Sequence, residues 1–329
     1  MARGGRNESQ ADKRQMTDKS FFIKEFAVTS KPSMLRTILK RINRAKKKLI
    51  ARLSPTLASK LFHKKRTGQS LNLDQPASFS EKCHWLKLFW QHPLVAKCAD
   101  KYEVREWITE CGCEDTLNEL YGVYEDVSEI DWESLPRQFA LKASHGYGFN
   151  IICDDKDKLD REEVLLKAGQ WLKTTYGVKT VELQYWKMKP RIICERFIQS
   201  SPGRLPVDYK FFCFYGKVHC VMVCSGRKTK SPNFDFFDRE WKTKLDYDIN
   251  STPDHVRIAK PASYEKMVEV AEKVSKPFPF VRVDFYDVDG KAVFGEMTFT
   301  PMACSDPDMT AEANETMGRL LKLPEEEIL

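Results

Sequence analysis

The sequence predicts an α+β protein of two lobes built on antiparallel strands, preceded by a basic helical extension. Three observations carry that expectation. Runs with period-two alternation are joined by short turns at residues 139–153, 208–225 and 280–301. Stretches with helical periodicity lie between and beyond them, at 78–90, 160–175, 261–275 and 311–321. At 329 residues the chain is long enough for two lobes and an extension.

The net charge of +7 conceals a split, because residues 1–66 hold 19 Lys/Arg against 4 Asp/Glu and the remaining residues hold 35 against 43. A basic arm is thus joined to a mildly acidic body. Residues 1–20 are polar and read as disordered. From Met34 to about Phe62, Leu35, Ile38, Leu39, Ile42, Leu49 and Leu53 recur at helical spacing, with Arg41, Arg44, Lys46, Lys47 and Lys48 filling much of the remainder. Such a stripe ordinarily packs on its own domain while the lysines are solvated. The other reading is an interfacial helix, peripheral to an anionic membrane or to a glycan-assembly partner, over residues 34–66. The first 20 residues lack a signal peptide's apolar core, and no apolar run is long enough to span a bilayer. Ten cysteines without framework spacing indicate reduced thiols and a cytoplasmic setting. Cys111-Gly-Cys113 lacks the second pair that a zinc site needs.

Ser78-Phe-Ser-Glu81 is a capping box that opens a helix to about Trp90, with Trp85, Leu88 and Phe89 on its buried side. A second helix over 94–110 contains Asp100, Lys101 and Arg105. Residues 139–153 read as strand, glycine loop, strand. Lys142 projects near the end of the first strand, and Gly146 and Gly148 let the loop backbone offer N–H donors to phosphates. No Gly-Lys-Ser/Thr follows, so this is not a Walker loop. Residues 191–198 form a continuous strand. In 208–214, Lys210, Phe212 and Phe214 share one face, and Tyr209, Phe211 and Cys213 the other. A turn at Tyr215-Gly216 returns the chain through 219–225, and Asn233 to Phe237 with Trp241 forms another short hairpin. The helix over 261–275 turns Met267, Val268, Ala271 and Val274 inward.

The hairpin at 280–301 turns at Asp289-Gly290. Arg282 and Asp284 share a face of its first strand, and Glu296 and Thr298 share a face of its second. A three-residue loop with Gly290 left-handed puts all four together, whereas a plain two-residue turn would part Asp284 from Glu296. Two carboxylates and a hydroxyl beside an arginine suit Mg²⁺ carrying a polyphosphate. An ordinary half-exposed hairpin with solvated charges is the alternative.

In this order the motifs resemble the TupA-like family of the ATP-grasp superfamily, which is associated with cell-surface polysaccharide loci. The resemblance runs through Leu71-Asn-Leu-Asp-Gln-Pro-Ala-Ser-Phe-Ser-Glu-Lys82, Ala99-Asp-Lys-Tyr-Glu-Val-Arg105, Leu141-Lys-Ala-Ser-His-Gly146, Lys189-Pro-Arg-Ile-Ile-Cys-Glu195, Asp208-Tyr-Lys-Phe-Phe-Cys-Phe214 and the last hairpin, ending near Leu323-Pro324. It implies an ATP-grasp fold whose antiparallel sheets grip ATP, with residues 126–198 as small lobe and 199–329 as large lobe, after an extension (1–66) and a helical lead-in (67–125). It further implies that Lys142 and the loop of Gly146 and Gly148 hold phosphates, with Lys101 and His145 as lesser candidates. Lys210 and Arg282 are the implied catalytic cations. Glu195, Arg196, Phe197 and Ile198 occupy the adenine hinge, and Asp284, Glu296 and Thr298 hold Mg²⁺. The implied reaction is carboxylate attack on the γ-phosphorus, then capture of the acyl phosphate by an amine. The implied acceptor is a uronic-acid-containing glycan or nucleotide sugar, and no nucleic acid is expected. Arg227, Lys228 and Asn233 are candidate acceptor contacts, since basic and amide groups suit an acidic sugar. A sugar kinase and a glycosyltransferase-associated nucleotide-binding protein are the alternatives. Thr298 stands where many ATP-grasp ligases have Asn, although the TupA-like group often has Thr there; Met302-Ala-Cys-Ser305 replaces a glycine-rich turn, and Tyr147 and Phe149 occupy normally small positions.

Overall fold

The computed structural model describes residues 34–199, 206–226, 232–253 and 257–329. The expected disorder of residues 1–20 lies outside them. The chain divides into two compact units, 1–43 and 44–329, and everything that follows concerns the second apart from the start of the first helix.

Helix α1 (Met34–Leu53) ends at Ser54, whose hydroxyl accepts the Leu57 N–H and opens α2 (Pro55–Thr67); Gly68, left-handed at φ 77°, closes α2. Ala51 and His63 are buried, but Leu49 and Leu53 are exposed, contrary to the expectation that the stripe packs on its own domain. The side chains of Leu35, Ile38 and Leu39 lie outside the described ones. Helix α3 (Phe79–Phe89) has both reciprocal bonds of its capping box, between Ser78 and Glu81.

The single helix expected over 94–110 is two, α4 (Pro93–Ala99) and α5 (Val104–Glu110). Asp100 breaks it. Its buried carboxylate accepts the N–H groups of Tyr102 and Glu103 and the hydroxyl of Ser144, so a side chain replaces the helical partners of the backbone.

A four-stranded antiparallel sheet comprises β1 (Leu120–Tyr124), β2 (Phe139–Ala143), β3 (Asn150–Cys153) and β4 (Ile192–Arg196), in the order β1-β4-β2-β3. Helix α6 (Arg161–Leu172) covers one face, where Phe139, Leu141, Ala143, Ile192 and Cys194 meet Val164 and Ala168. The other face carries Lys142 and Glu195.

The larger sheet has the order β10-β9-β5-β6-β7-β8, from β5 (Asp208–Phe214), β6 (Lys217–Ser225), β7 (Asn233–Asp238), β8 (Lys244–Leu245), β9 (Val281–Val288) and β10 (Lys291–Thr298). Helix α7 (Tyr264–Ser275) covers the face with Tyr209, Phe211 and Cys213, through Met267, Val268, Ala271 and Val274. The opposite face is divided. Phe212, Phe214, Cys220 and Phe236 lie under α3 and α8 (Ala311–Leu320), whereas Lys210, Arg282, Asp284 and Glu296 occupy the remainder. The alternation read in 208–214 thus sorts its residues between two cores.

Helix α8 approaches the start of α3 so closely that a Cβ on Gly318 would lie 2.5 Å from the Ala77 carbonyl oxygen and 2.8 Å from the Phe79 nitrogen. Neither backbone atom can swing aside. Gly318→Ala is therefore expected to cost about 1–3 kcal/mol by overpacking, read as a lowered urea midpoint with unchanged slope.

Candidate active site

The hairpin β9–β10 turns on two residues, Asp289 and Gly290, both with positive φ (53° and 76°), and Lys291 pairs with Val288. The expected three-residue loop is not formed. A regular ladder from this turn would send Asp284 and Glu296 to opposite faces. Instead the register shifts between Phe294 and Glu296, leaving Gly295 as an extra residue. Beyond that bulge Asp284 stands opposite Glu296, and Arg282 opposite Thr298. All four therefore share a face, by a different device from the one expected. A Cβ at residue 295 would lie 3.0 Å from the Asp284 carbonyl oxygen, so glycine suits the bulge.

Arg282 donates to both carboxylate oxygens of Asp284, at 2.7 Å each, and to Thr298 Oγ1 at 3.1 Å. Lys210, opposite Asp284 on β5, places Nζ 2.5 Å from Asp284 Oδ2 and 3.3 Å from Asp208. Lys101 reaches in from the α4–α5 break, with Nζ 3.2 Å from Glu296 and donating to the Gly146 carbonyl at 2.7 Å. Burial pushes the Glu296 carboxyl up, but the charges of Lys101, Lys210 and Arg282 outweigh it and hold the pKa at about 2. Burial acts to lower the Lys210 pKa, and the charges of Asp208 and Asp284 outweigh that and raise it. Both groups are charged at neutral pH.

The cluster thus balances Lys101, Lys210 and Arg282 against Asp208, Asp284 and Glu296. Lys101, the lesser candidate, is central because the helix break delivers it. Asp208 was missed as a site residue, although alternation puts it on the face of Lys210.

On the facing lobe, Lys142 Nζ lies 2.7 Å from Glu195, and Arg105 lies 3.5 Å from the other carboxylate oxygen. Gly146 has φ 111°, and a Cβ there would strike the Tyr176 ring at 2.4 Å. Tyr147, at the loop tip, is within electrostatic reach of Glu296, Lys210, Arg282 and Asp208. Phe149 stacks on Trp171 and so belongs to the lobe's own packing.

His145 turns away from the cluster: its Nε2 lies 3.2 Å and 3.1 Å from the carbonyl oxygens of Trp171 and Thr174, a position that an N–H donor satisfies. Arg196 follows Glu195 and therefore projects from the opposite face of β4. Its N–H donates to the Glu119 carbonyl and its carbonyl accepts from Asn118, so its backbone is already paired. Phe197 and Ile198 lie just past the strand and are half-buried. Arg227 and Lys228 lie outside the described residues. Asn233 opens β7 opposite Ser225, two strands from the one carrying Lys210.

Among the described residues no three His, Cys, Asp or Glu side chains converge as a metal cage. The donors present nevertheless fit Mg²⁺, which takes one or two carboxylates and completes its shell with phosphates and water. Asp284 and Glu296 supply hard oxygens side by side, with the Thr298 hydroxyl 3.2 Å from Glu296.

The family model described as TupA-like ATPgrasp matches residues 81–322. The chain belongs to the TupA-like ATP-grasp family. No curated protein matches it. Among solved structures, this TupA-like protein is similar to a D-alanine–D-alanine ligase from Helicobacter pylori at 14% identity and TM-score 0.42, covering 73% of this chain and 62% of the other. It is also similar to an L-amino acid ligase from Bacillus licheniformis at 14% identity and TM-score 0.39, covering 61% and 42%. A D-alanine–D-alanine ligase from Bacillus anthracis matches at 14% and 0.38, covering 68% and 60%. The TupA-like chain therefore spans less than two thirds of the length of these proteins.

The turn after β10 in this TupA-like protein departs most from expectation. Met302, Ala303 and Cys304 are all left-handed, with φ of 49°, 53° and 63°. Ser305, which follows, is fully buried and held from two helices. Its Oγ lies 3.0 Å from His63 Nδ1 and 2.9 Å from His84 Nε2, and its carbonyl accepts from Arg66. From the other side, the Thr300 hydroxyl donates to Glu182 and accepts from Gln184.

With both imidazoles protonated, Ser305 Oγ would accept from each and its own proton would find no acceptor on either histidine. Burial lowers the pKa of His63 and lowers that of His84 far more. Both are therefore neutral at pH 7 in the folded protein, while in the unfolded chain each titrates near pH 6.5. Below that pH the unfolded state binds more protons, so this contribution is complete above about pH 6.5 and is lost as pH falls through the lowered folded values. The urea midpoint is expected to drop between pH 7 and pH 5, and His84→Gln should flatten that slope.

Proposed function

We propose that this protein joins a carboxylate to an amine at the expense of ATP, with Mg²⁺, during synthesis or modification of a cell-surface polysaccharide. The substrate carboxylate is that of a uronic acid in a glycan or nucleotide-sugar precursor. The observation that carries the reading is the pairing of Asp284 with Glu296 on one face, ringed by Lys101, Lys210 and Arg282. Membership of the family supports it.

Lys142 and the backbone of the Gly146–Gly148 loop hold phosphates from the small lobe. Lys210 and Arg282 meet the γ-phosphate from the large lobe and spread its charge as the bond to ADP breaks. Lys101 ties the loop to the hairpin, so it couples closure over the phosphates to the carboxylate pair. Bound Mg²⁺ would neutralise phosphate oxygens, held by Asp284 and Glu296 with Thr298 beside them. A substrate carboxylate oxygen bonds to the γ-phosphorus as ADP leaves. The amine then bonds to the acyl carbon, inorganic phosphate departs and the nitrogen releases a proton. The protein's share is positioning and charge stabilisation.

Purified protein is incubated with γ-labelled ATP, Mg²⁺, uronic-acid glycans and a panel of amines. The ligase predicts amine-dependent release of free labelled phosphate, and a product heavier than the acceptor by the amine less one water. Label retained on the glycan would replace this reading with a kinase.

A further inference from the structure

The chain between Glu25 and Asp74 contains no acidic residue, and within it residues 44–67 hold nine lysines and arginines. A solvated helix ordinarily interleaves acids with such bases, forming pairs at i,i+4. Here neither α1 nor α2 has a carboxylate of its own.

The apolar residues on these helices add a second anomaly. Leu49, Leu53, Leu57 and Leu61 are 57%, 76%, 50% and 52% exposed. Leu49 and Leu53 are four apart on α1, and Leu57 and Leu61 four apart on α2, so each pair shares a helix face. The opposite sides are already committed. Ala51 packs in a core with Leu71, Leu73 and Leu88, while His63 and Arg66 bond Ser305. The outward leucines therefore cannot turn inward without breaking those contacts.

The two helices also bring like charges together. The Lys47 and Lys65 ammonium groups are close enough to perturb one another, and Lys46, Lys48, Arg52 and Lys64 are exposed around them. Among the described residues neither helix supplies an anion of its own to these cations, and both present leucines beside them. A nucleic acid would meet the charge but leave the leucines in water. An anionic bilayer meets both, with acyl chains for the leucines and headgroups for the lysines.

We propose that the outward face of α1 and α2, built from Leu49, Leu53, Leu57 and Leu61 and flanked by Lys46, Arg52, Lys64 and Lys65, docks peripherally on a membrane surface rich in anionic phospholipid. The other side of α2 fixes the turn after β10, so docking engages the back of an element that supports the candidate site. The inference rests on surface chemistry and holds whether or not the reaction proposed above is correct.

The test is flotation of the full-length protein with vesicles of phosphatidylcholine alone, or of phosphatidylcholine with phosphatidylglycerol. Binding is expected only with the anionic vesicles, and is expected to weaken as salt rises. Lys46→Glu with Lys64→Glu should cut the affinity at least 25-fold, at about fivefold for each lysine charge near the surface. Leu49→Ser with Leu53→Ser keeps the charge and should cut it about tenfold or more. These side chains are exposed, so both variants should unfold at the wild-type urea midpoint. The proposal fails if the wild type floats with neither vesicle or equally with both. It also fails if the leucine pair leaves flotation unchanged, or if a DNA duplex binds more tightly than the anionic vesicles.

Discussion

Glu296→Gln is expected to lower amine-dependent phosphate release by roughly 10²–10³-fold, the scale of losing one preorganised charge-stabilising group. The substitution preserves shape and leaves Thr298 an acceptor, but it removes the charge that faces Lys101 and would face Mg²⁺. Its fold cost is lower than that of a change at Asp284, because the Glu296 side chain is 27% exposed and water can reach the cations left behind. Asp284→Asn is the less informative variant, because that side chain is only 3% exposed and sits between Lys210 and Arg282. Breaking a buried pair there costs about 3–5 kcal/mol, which would mix inactivation with unfolding. For Glu296→Gln the rate is measured at saturating ATP across a Mg²⁺ titration. Unchanged turnover would remove the carboxylate pair from the mechanism.

Phe280→Ala is expected to destabilise the fold by about 3–5 kcal/mol, a large share of the 5–15 kcal/mol that holds a typical domain. Phe280 is 2% exposed at the entry to β9, with ring centroids 4.8 Å from Phe79, 5.3 Å from Phe214 and 6.0 Å from Phe212. Phe79 is the first residue of α3 and the other two lie on β5, so one side chain joins a helix to the central sheet. Removing it leaves a cavity that rigid strands cannot fill. The same helix carries His84, which bonds Ser305, so loosening α3 should also lower the temperature at which phosphate release fails. Urea denaturation reads the first effect, and activity against temperature reads the second. A midpoint within experimental error of wild type would contradict the packing account.

Much of this architecture is legible in short stretches of sequence. Ser78 and Glu81 mark the start of α3 because both halves of the capping box lie within one turn. The faces of β5 follow from alternation alone, and Met267, Val268, Ala271 and Val274 of α7 from helical spacing. Other features depended on distant partners. Periodicity carries a helix straight through Asp100, and it is Ser144, 44 residues away, that helps hold its carboxylate at a break. His145 looks like a phosphate ligand beside a glycine loop until the carbonyls of Trp171 and Thr174 claim its ring. Leu49 and Leu53 look like core residues until Ala51 proves to be the one facing inward.

By itself the sequence determined which residues can share a strand or helix face, where helices are capped, and the family to which the chain belongs. Those properties are set by neighbours a few positions apart and by the order of motifs. Only the tertiary structure decided that Asp284 meets Glu296, because that pairing depends on the bulge at Gly295 and not on the turn. It also decided that Lys101 reaches the same cluster and that two histidines close on Ser305. Strand register and side-chain convergence are settled by packing between segments far apart in the chain, and a period read along one segment carries no record of them.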